Sequence, residues 1–163
     1  YDYYKIKPTK YHIKMGTLGK AYGSYGAYIL ASNEIIDFLT NRAKPIIYST
    51  APSLFDTALG NISLDYIIKN KKVLKEKINK NLTIIEEILG IKSESLIIPI
   101  VIGDNKKVKD IQEVLKEKGF LVGAIRQPTV KEAIIRLIAK IDIDEKDLIS
   151  VCKILKELKW KSL

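Results

Sequence analysis

The sequence predicts an α/β protein made of three successive parts. Near the amino end, short apolar segments on both sides of a glycine-rich stretch at 16–28 predict strands. A helical pattern, with apolar residues three and four positions apart, then runs from Ser53 to Leu89. After Gly90, apolar strands alternate with amphipathic helices, which is typical of a compact α+β unit. We therefore expect a piece of a sheet at 1–60, a linking helix at 61–90 and a small α+β domain at 91–163.

The first part contains few elements. Polar and apolar residues alternate over 11–15, and a second apolar segment covers 25–31, so two strands are expected around the glycines. A helix is predicted from Asn33 until Pro45, and the apolar residues 46–48 predict a third short strand. These elements could hardly close a hydrophobic core by themselves. We therefore expect the first part to belong to a larger sheet.

The long helical pattern and the last part are better defined. Gly60–Asn61 is where the pattern is expected to kink or divide, and Gly90 is expected to cap its end. The elements predicted beyond it are 96–102 (strand), 107–117 (helix), 120–125 (strand), 133–141 (strand) and a final helix capped by Asp142 or Asp144. This set is sufficient for a core of its own.

The composition is that of a globular protein with a core, because 47% of the 163 residues are hydrophobic and 29% are charged. The net charge of +9 would suit an anionic partner, but the lysines are scattered over the polar faces of predicted helices. No nucleic-acid-binding motif accompanies them, so we expect no nucleic-acid partner. The longest apolar runs are too short to span a bilayer and the amino end lacks a signal-peptide pattern. A cytoplasmic protein without a membrane partner is therefore expected.

The single cysteine and the single histidine are not expected to take part in chemistry. Cys152 lies at an apolar position of the last helix, which predicts a buried, unreactive thiol. One cysteine cannot form an intramolecular disulfide, and this fits a reducing compartment. His12 lies on the first strand, and no group of histidine, cysteine or carboxylate residues has the spacing of a metal site. We therefore expect no metal.

The chemically most distinctive residue is Lys20, which lies among four of the nine glycines. Glycines let the backbone turn sharply and approach a ligand closely. A lysine flanked by small residues can reach inward, where loss of solvation lowers its amine pKa and the neutral amine can attack a carbonyl. The stretch indicates a Schiff-base lysine. On composition alone, a glycine-rich turn with a solvated lysine is the alternative.

Several motifs, in order along nearly the whole chain, resemble the α-oxoamine synthases, which are fold-type I enzymes dependent on pyridoxal 5'-phosphate. The segment 17–28 resembles their cofactor-lysine segment, and 46–50 resembles the segment with two hydroxyl residues that follows it. Further matches lie at 98–104 and in the run Gly-Ala-Ile-Arg-Gln-Pro-Thr-Val at 123–130. The resemblance implies the carboxy-terminal part of that fold: a piece of the large-domain sheet, a long linking helix and a small α+β domain.

The resemblance assigns four residues to the cofactor. Lys20 matches the lysine that holds the cofactor as a Schiff base and later moves a proton of the substrate. Thr17 matches a hydroxyl that contacts the cofactor phosphate, with an ordinary turn threonine as the alternative. Ser49 and Thr50 match a hydroxyl pair that reaches the phosphate in the neighbouring subunit, which implies a homodimer with shared sites. Capping of the following helix is the other interpretation of this pair.

The resemblance also assigns substrate contacts in the last part of the chain. Arg136 fits the arginine that holds the amino-acid carboxylate if the turn at 131–133 is two residues shorter than in the family. Without that gap, Ile138 takes the position. Arg126 and Thr129 are expected to contact the acyl substrate or a carboxylate, although a surface ion pair explains Arg126 equally well. Arginine suits such a site because it binds a carboxylate through two parallel hydrogen bonds.

The implied reaction is the decarboxylative condensation of an amino acid with an acyl thioester. Within the family, the run at 124–130 is most like the biotin-pathway member, which joins L-alanine to a pimeloyl thioester of coenzyme A or acyl carrier protein. Members that use glycine to make 2-amino-3-ketobutyrate or 5-aminolevulinate are one alternative, and a non-catalytic fragment that binds anions or a partner protein is another. The family's stacking histidine and pyridine-pairing aspartate precede the matching segments. We therefore expect this chain alone to be inactive.

Overall fold

The computed structural model describes residues 1 and 4–160, with side chains as far as Leu158. It divides the chain into two compact units, one from Tyr1 to Asn70 and the other from Lys71 onward. The division lies within the predicted linking helix.

The first unit contains one hairpin and three helices. Strand β1 (Lys14–Thr17) pairs antiparallel with β2 (Ala27–Leu30), and Gly16 lies opposite Tyr28. The Tyr28 ring occupies the space that a side chain at position 16 would need, because a Cβ built there would lie 2.4 Å from the ring. The helices are α1 (Asn33–Arg42), α2 (Lys44–Ile47) and α3 (Leu54–Lys69).

Two sequence-based predictions in this region are wrong. The strand expected at 46–48 is instead the end of α2 and its cap. Pro45 lies in the first turn of α2, where a missing N–H group costs nothing, so it begins a helix as well as following one. The long helical pattern is divided at Asn70, and Gly60–Asn61 remains helical within α3. The Asn70 amide donates to the carbonyl of Tyr66, a local bond that competes with helix continuation.

The second unit is a three-stranded antiparallel sheet with three helices. Its elements are α4 (Lys71–Leu89), β3 (Ile97–Gly103), α5 (Asn105–Glu117), β4 (Gly123–Ile125), β5 (Ala133–Ile138) and α6 (Glu145–Trp160). The spatial order of the strands is β3-β5-β4, so β5 is the central strand. All the elements predicted from sequence in this part are confirmed, with strand ends shifted by a few residues.

The core of the second unit lies on one face of this sheet. Along β5, Ala133, Ile135 and Leu137 are buried, whereas Arg136 and Ile138 on the opposite face are exposed. Strand β3 and helices α4, α5 and α6 supply most of the other core side chains. The largest fully buried side chains of the core are Ile85, Ile98, Ile100, Val108, Ile111, Leu115, Ile135, Leu148, Val151, Cys152 and Leu155. The buried thiol expected at Cys152 is confirmed.

Local signals set the ends of these helices. Gly90 and Gly119, with φ of 66° and 86°, follow α4 and α5 and adopt the left-handed conformation that ends helices. The Asp104 side chain accepts from the backbone N–H of Lys107 at 2.7 Å and caps α5. Among the described residues, no helix combines the length and apolar character needed to cross a membrane.

Candidate active site

Residues Leu18–Gly26, which connect β1 to β2, form the lysine loop. Its shape is fixed by backbone hydrogen bonds: Leu18 N–H donates to Gly26 at 2.9 Å, and Ser24 N–H donates to Leu18 at 3.0 Å. A third bond, from Gly23 N–H to the carbonyl of Lys20 at 3.0 Å, closes a tight turn that begins at the lysine. Gly23 and Gly26 have φ of 59° and 113°, and residues other than glycine rarely adopt these backbone conformations.

Two serine hydroxyls fasten the lysine loop to α3. Ser24 Oγ donates to the carbonyl of Asp56 at 2.6 Å, and Ser63 Oγ donates to the carbonyl of Tyr22 at 2.7 Å. Gly60 lies between these points and is buried, with Leu18 close to where its side chain would be. No local sequence pattern predicts these contacts, because the bonded residues are 32 and 41 positions apart along the chain.

The amine of Lys20 has no bonding partner among the described residues. Lys20 is exposed at the tip of the loop, so the expectation that it reaches away from water is not met within this chain. Thr17, at the end of β1, is exposed as well. Across residues 1 and 4–160, neither side chain forms a hydrogen bond or an ion pair. The loop therefore presents one primary amine and, three residues earlier, one hydroxyl without a competing partner.

The hydroxyl pair Ser49 and Thr50 does not cap α3. Ser53 takes that role, because its Oγ accepts from the N–H of Asp56 at 3.0 Å. Ser49 Oγ instead makes a long bond of 3.3 Å to the carbonyl of Ile46 at the end of α2, and both residues of the pair are exposed. Their alternative interpretation as caps of the following helix is thus wrong, which leaves both hydroxyls available to a ligand.

An open, mainly apolar pocket of about 480 Å³ lies beside the lysine loop, between the β1–β2 hairpin and α3. Tyr22, Tyr28 and Leu64 are among its lining residues. Partial burial raises the pKa of Tyr22, and a hydrogen bond with Tyr28 raises it further. A phenol with a raised pKa stays neutral and remains a hydrogen-bond donor at physiological pH. The sequence analysis did not single out this pair of tyrosines.

Arg136 lies in the second unit, on the exposed face of the sheet. It is paired with Gly123 of β4 on one side and Pro99 of β3 on the other. A Cβ built on Gly123 would lie 3.4 Å from Nε of Arg136, so the side chain lies over the glycine. In the described part of the chain, no carboxylate pairs with Arg136. Ile138 is on the same face, so both alternative positions for the carboxylate-binding residue point to one side of the sheet.

Arg126 and Thr129 are the two ends of the turn between β4 and β5. The N–H of Thr129 donates to the carbonyl of Arg126 at 3.0 Å across a cis Gln127–Pro128 bond. Gln127 holds the turn in place, because its N–H donates to Asn105 Oδ1 at 3.2 Å and its side-chain amide donates to the carbonyl of Lys131 at 2.7 Å. Both Arg126 and Thr129 are exposed. The three expected substrate residues thus lie on β5 and on the turn that precedes it.

The remaining titratable residues do not form a second site. Burial raises the pKa of the Cys152 thiol to about 11, so it is protonated and unreactive at neutral pH. His12 Nδ1 accepts from the backbone N–H of Thr9 at 2.8 Å, and the His12 ring contacts the Tyr1 ring. These contacts indicate a structural role for His12. Within the described residues there is no group of three metal-ligating side chains.

Comparison with known proteins identifies related sequences and folds. The family model described as aminotransferase class I and II matches residues 3–155. The 8-amino-7-oxononanoate synthase of Helicobacter pylori strain J99 is 46% identical over 136 residues, which are 83% of this chain and 36% of the relative. A putative 8-amino-7-oxononanoate synthase of Aquifex aeolicus is 38% identical over 154 residues, which are 90% of this chain and 41% of the relative. The chain thus spans roughly two fifths, or less, of the length of these curated relatives.

Solved structures show the same fold. The 8-amino-7-oxononanoate synthase of Francisella tularensis superimposes with a TM-score of 0.78 at 23% identity, covering 89% of this chain and 44% of that one. Sphingomonas wittichii serine palmitoyltransferase superimposes with a TM-score of 0.81 at 15% identity, covering 90% and 39%. The α/β architecture is therefore part of the fold-type I architecture, and the resemblance to the α-oxoamine synthases is confirmed. On the match over 3–155, the chain belongs to the aminotransferase class I and II family.

Proposed function

We propose that this chain contributes the lysine-bearing and substrate-binding portion of an 8-amino-7-oxononanoate synthase, which condenses L-alanine with a pimeloyl thioester in biotin biosynthesis. The observation that carries the proposal is the lysine loop, whose amine at Lys20 is unpaired while its backbone is fastened to α3. The 46% identity to the Helicobacter pylori enzyme supports this member of the family over others. Because the chain covers 36% of that relative, activity is proposed for the whole enzyme.

The residues present fit pyridoxal 5'-phosphate. An aldehyde requires a free primary amine, and Lys20 offers one on a rigidly connected loop. A phosphate dianion requires hydroxyl and amide donors, and the hydroxyl of Thr17 has no competing partner. Ser49 and Thr50 are exposed and outside the cap of α3, as a contact with the neighbouring subunit's phosphate requires. We therefore propose a homodimer in which these two hydroxyls serve the partner's site.

The proposed roles follow from the chemistry of each residue. When bound, the cofactor supplies an electron sink for the pair of electrons released at the amino-acid α-carbon. Lys20 Nζ is the base that moves the proton at that carbon. Arg136 holds the amino-acid carboxylate through two parallel hydrogen bonds, which its unpaired guanidinium can form. Arg126 and Thr129, fixed at the two ends of their turn, contact the acyl substrate.

The overall reaction balances without an external oxidant or reductant. A bond forms between the alanine α-carbon and the thioester carbonyl carbon while the carbon–sulfur bond breaks. The thiolate takes up a proton from the solvent and leaves as the free thiol. The alanine carboxylate leaves as carbon dioxide, and the α-carbon, which keeps the electron pair of the broken bond, takes back one proton. The thiol carrier is coenzyme A or acyl carrier protein. This chain alone is proposed to be inactive, because the groups that stack on and pair with the cofactor ring are expected outside it.

The role of Lys20 is tested in the whole enzyme loaded with pyridoxal 5'-phosphate. Borohydride reduction followed by peptide mapping should place the cofactor on Lys20, and Lys20→Ala should abolish the absorbance of the lysine–cofactor imine. Lys14→Ala, which removes a lysine from the adjacent strand, is the matched control and should retain that absorbance. An imine that survives Lys20→Ala contradicts the assignment. If the wild-type enzyme forms no imine, a non-catalytic anion- or partner-binding role is favoured instead.

Substrate choice is tested separately by release of carbon dioxide and free thiol. With a pimeloyl thioester, L-alanine should be consumed in preference to glycine. A preference for glycine would favour the family members that make 2-amino-3-ketobutyrate or 5-aminolevulinate.

The assignment of Arg136 against Ile138 has its own test. Arg136→Lys keeps the charge but loses the bidentate geometry, so KM for L-alanine should rise by about tenfold or more, with a smaller change in KM for the thioester. Ile138→Ala should change KM for L-alanine by less than about twofold. The reverse ranking of the two variants would move the carboxylate contact to position 138.

A further inference from the structure

The lysine loop is anchored at two separate points on one face of α3. Asp56, whose carbonyl binds Ser24, and Ser63, which binds the carbonyl of Tyr22, lie two turns apart on the helix. At 1.5 Å per residue this separation is about 10 Å along the axis. Two bonds so far apart prevent the loop from sliding along the helix, and they also prevent it from rotating about a single contact. One bond alone would leave the rotation free.

The face of α3 between the anchors is shaped to receive the loop. Gly60 lies one turn beyond Asp56 and about one turn before Ser63, and it is the buried residue of α3. A Cβ built on Gly60 would lie 3.5 Å from Leu18 Cδ1 and 3.8 Å from Ser24 Oγ, which are ordinary van der Waals distances. The loop therefore packs against α3 at Gly60, with the two hydroxyl bonds on either side of the contact.

The anchors are coupled directly to the lysine. Tyr22 and Ser24 are the anchored loop residues, and Gly23 between them donates its N–H to the carbonyl of Lys20. A carbonyl oxygen has two lone pairs, so Asp56 can accept from Ser24 without giving up its own helical bond. The position of Lys20 is thus set by a chain of hydrogen bonds that ends on α3.

We propose that Ser24 and Ser63 are positioning residues, which hold the amine of Lys20 in register with its substrate through their bonds to and from α3. The proposal rests on the proposed function of Lys20. Displacing a reacting group by about 1 Å can slow a reaction by about a hundredfold, so loss of an anchor should act on kcat. KM for L-alanine should change little, because the hydrogen bonds of both serines join the lysine loop to α3 and not to a proposed carboxylate-binding residue.

The test compares Ser24→Ala, Ser63→Ala and Ser63→Thr in the whole enzyme with a matched control, Thr40→Val. Thr40 Oγ1 also donates to a backbone carbonyl, that of Ile36, but within α1 and away from the loop. The readouts are kcat and KM, the pKa of the lysine–cofactor imine from a spectral titration, and the rate of tryptic cleavage after Lys20 without cofactor. Exposed Lys20 is a cleavage site whose rate reports opening of the loop.

Both serine-to-alanine variants should lower kcat by roughly tenfold to a hundredfold, shift the imine pKa and speed cleavage after Lys20 by about tenfold. Ser63→Thr, which keeps the hydroxyl, should have the wild-type kcat, imine pKa and cleavage rate, and so should Thr40→Val. Alanine variants that match Thr40→Val in every readout overturn the positioning role. Absence of an imine in the wild-type enzyme overturns the proposed function instead, and the cleavage rates would then still decide whether the serines anchor the loop.

Discussion

The two units of this chain bury their apolar side chains to very different extents. In the part of the chain that the structure describes, all fifteen buried hydrophobic residues belong to the second unit, where they form one core between the sheet and its helices. Of the twenty-four large hydrophobic side chains that are exposed among the described residues, nineteen lie in the first unit. The unit that carries Lys20 is therefore the one without a core, and the unit that carries Arg136 has one.

The exposed side chains of α3 show what this difference means. Phe55 and Ile62 lie on one side of the helix and Leu64 lies on the opposite side, and the three are 77%, 66% and 40% exposed. A helix that is apolar all round is typical of the interior of a larger protein. Among the described residues, no third strand pairs with either outer edge of the β1–β2 hairpin, so both edges are positions where further strands could pair. The first unit has the surface of a segment with further packing partners, whereas the second has the surface of a domain.

The largest expected effect comes from separating the units. Residues 71–163 expressed alone should unfold in one cooperative transition in urea, with a free energy of unfolding of about 5–10 kcal/mol, because their core is internal to the unit. Residues 1–70 alone should show no cooperative transition and should bind a hydrophobic dye, because their apolar side chains remain exposed. A cooperative transition in 1–70 would contradict the contrast between the units.

A substitution in the core of the second unit sharpens the same contrast. Ile135 is fully buried on the central strand β5, so Ile135→Ala should lower the free energy of unfolding by about 2–5 kcal/mol through lost burial and the cavity left behind. Ile138→Ala is the control on the same strand, because Ile138 faces the other side and is 43% exposed. It should cost less than about 1 kcal/mol. Equal losses in urea denaturation would mean that both faces of the sheet are covered.

The sequence predicted the second unit better than the first, for a physical reason. Its strands and helices are long enough for their hydrophobic periods to be distinct, and Gly90, Asp104 and Gly119 mark their ends with side-chain or backbone chemistry that acts locally. The residues 46–48 are too few to show a period, and here the helix-starting position of Pro45 decided the structure. Asn70 rather than Gly60 ended α3, because the Asn70 side chain bonds the carbonyl of Tyr66, whereas Gly60 is buried within the helix.

The candidate site was predictable only in part. Lys20 stands out in the sequence because its neighbours are glycines, and the spacing of Thr17 from it is local. Ser24 and Ser63 do not stand out, because a serine in a loop and a serine in a helix are ordinary residues there. Their roles arise from bonds to residues 32 and 41 positions away. Such contacts depend on how α3 packs against the loop, which no local pattern encodes.

The thiol of Cys152 offers a probe of the second unit alone, since it is the single cysteine of the chain. Burial raises its pKa from 9.0 to about 11, so the folded state favours the neutral thiol. The neutral thiol therefore contributes fully to the free energy of unfolding below pH 9. As the pH rises from 9 to 11, the free energy of unfolding falls by about 2–3 kcal/mol. Urea denaturation of the second unit at pH 8 and pH 10.5 should show the loss, and Cys152→Ser, which does not titrate there, should show less of it. An unchanged difference between the two pH values in Cys152→Ser would assign the loss to other groups.

Helix caps give the smallest effect and compare the units directly. Asp104 caps α5 in the second unit and Ser53 caps α3 in the first, each by accepting a backbone N–H of the first turn, at 2.7 and 3.0 Å. Asp104→Ala should lower the free energy of unfolding of the second unit by about 1 kcal/mol. Ser53→Ala should leave that transition unchanged in the intact chain, because α3 takes no part in the core that unfolds cooperatively. If Ser53→Ala lowers the free energy of unfolding of the same transition by a similar amount, the two units unfold together. They would then differ in the exposure of their apolar side chains but not in cooperativity.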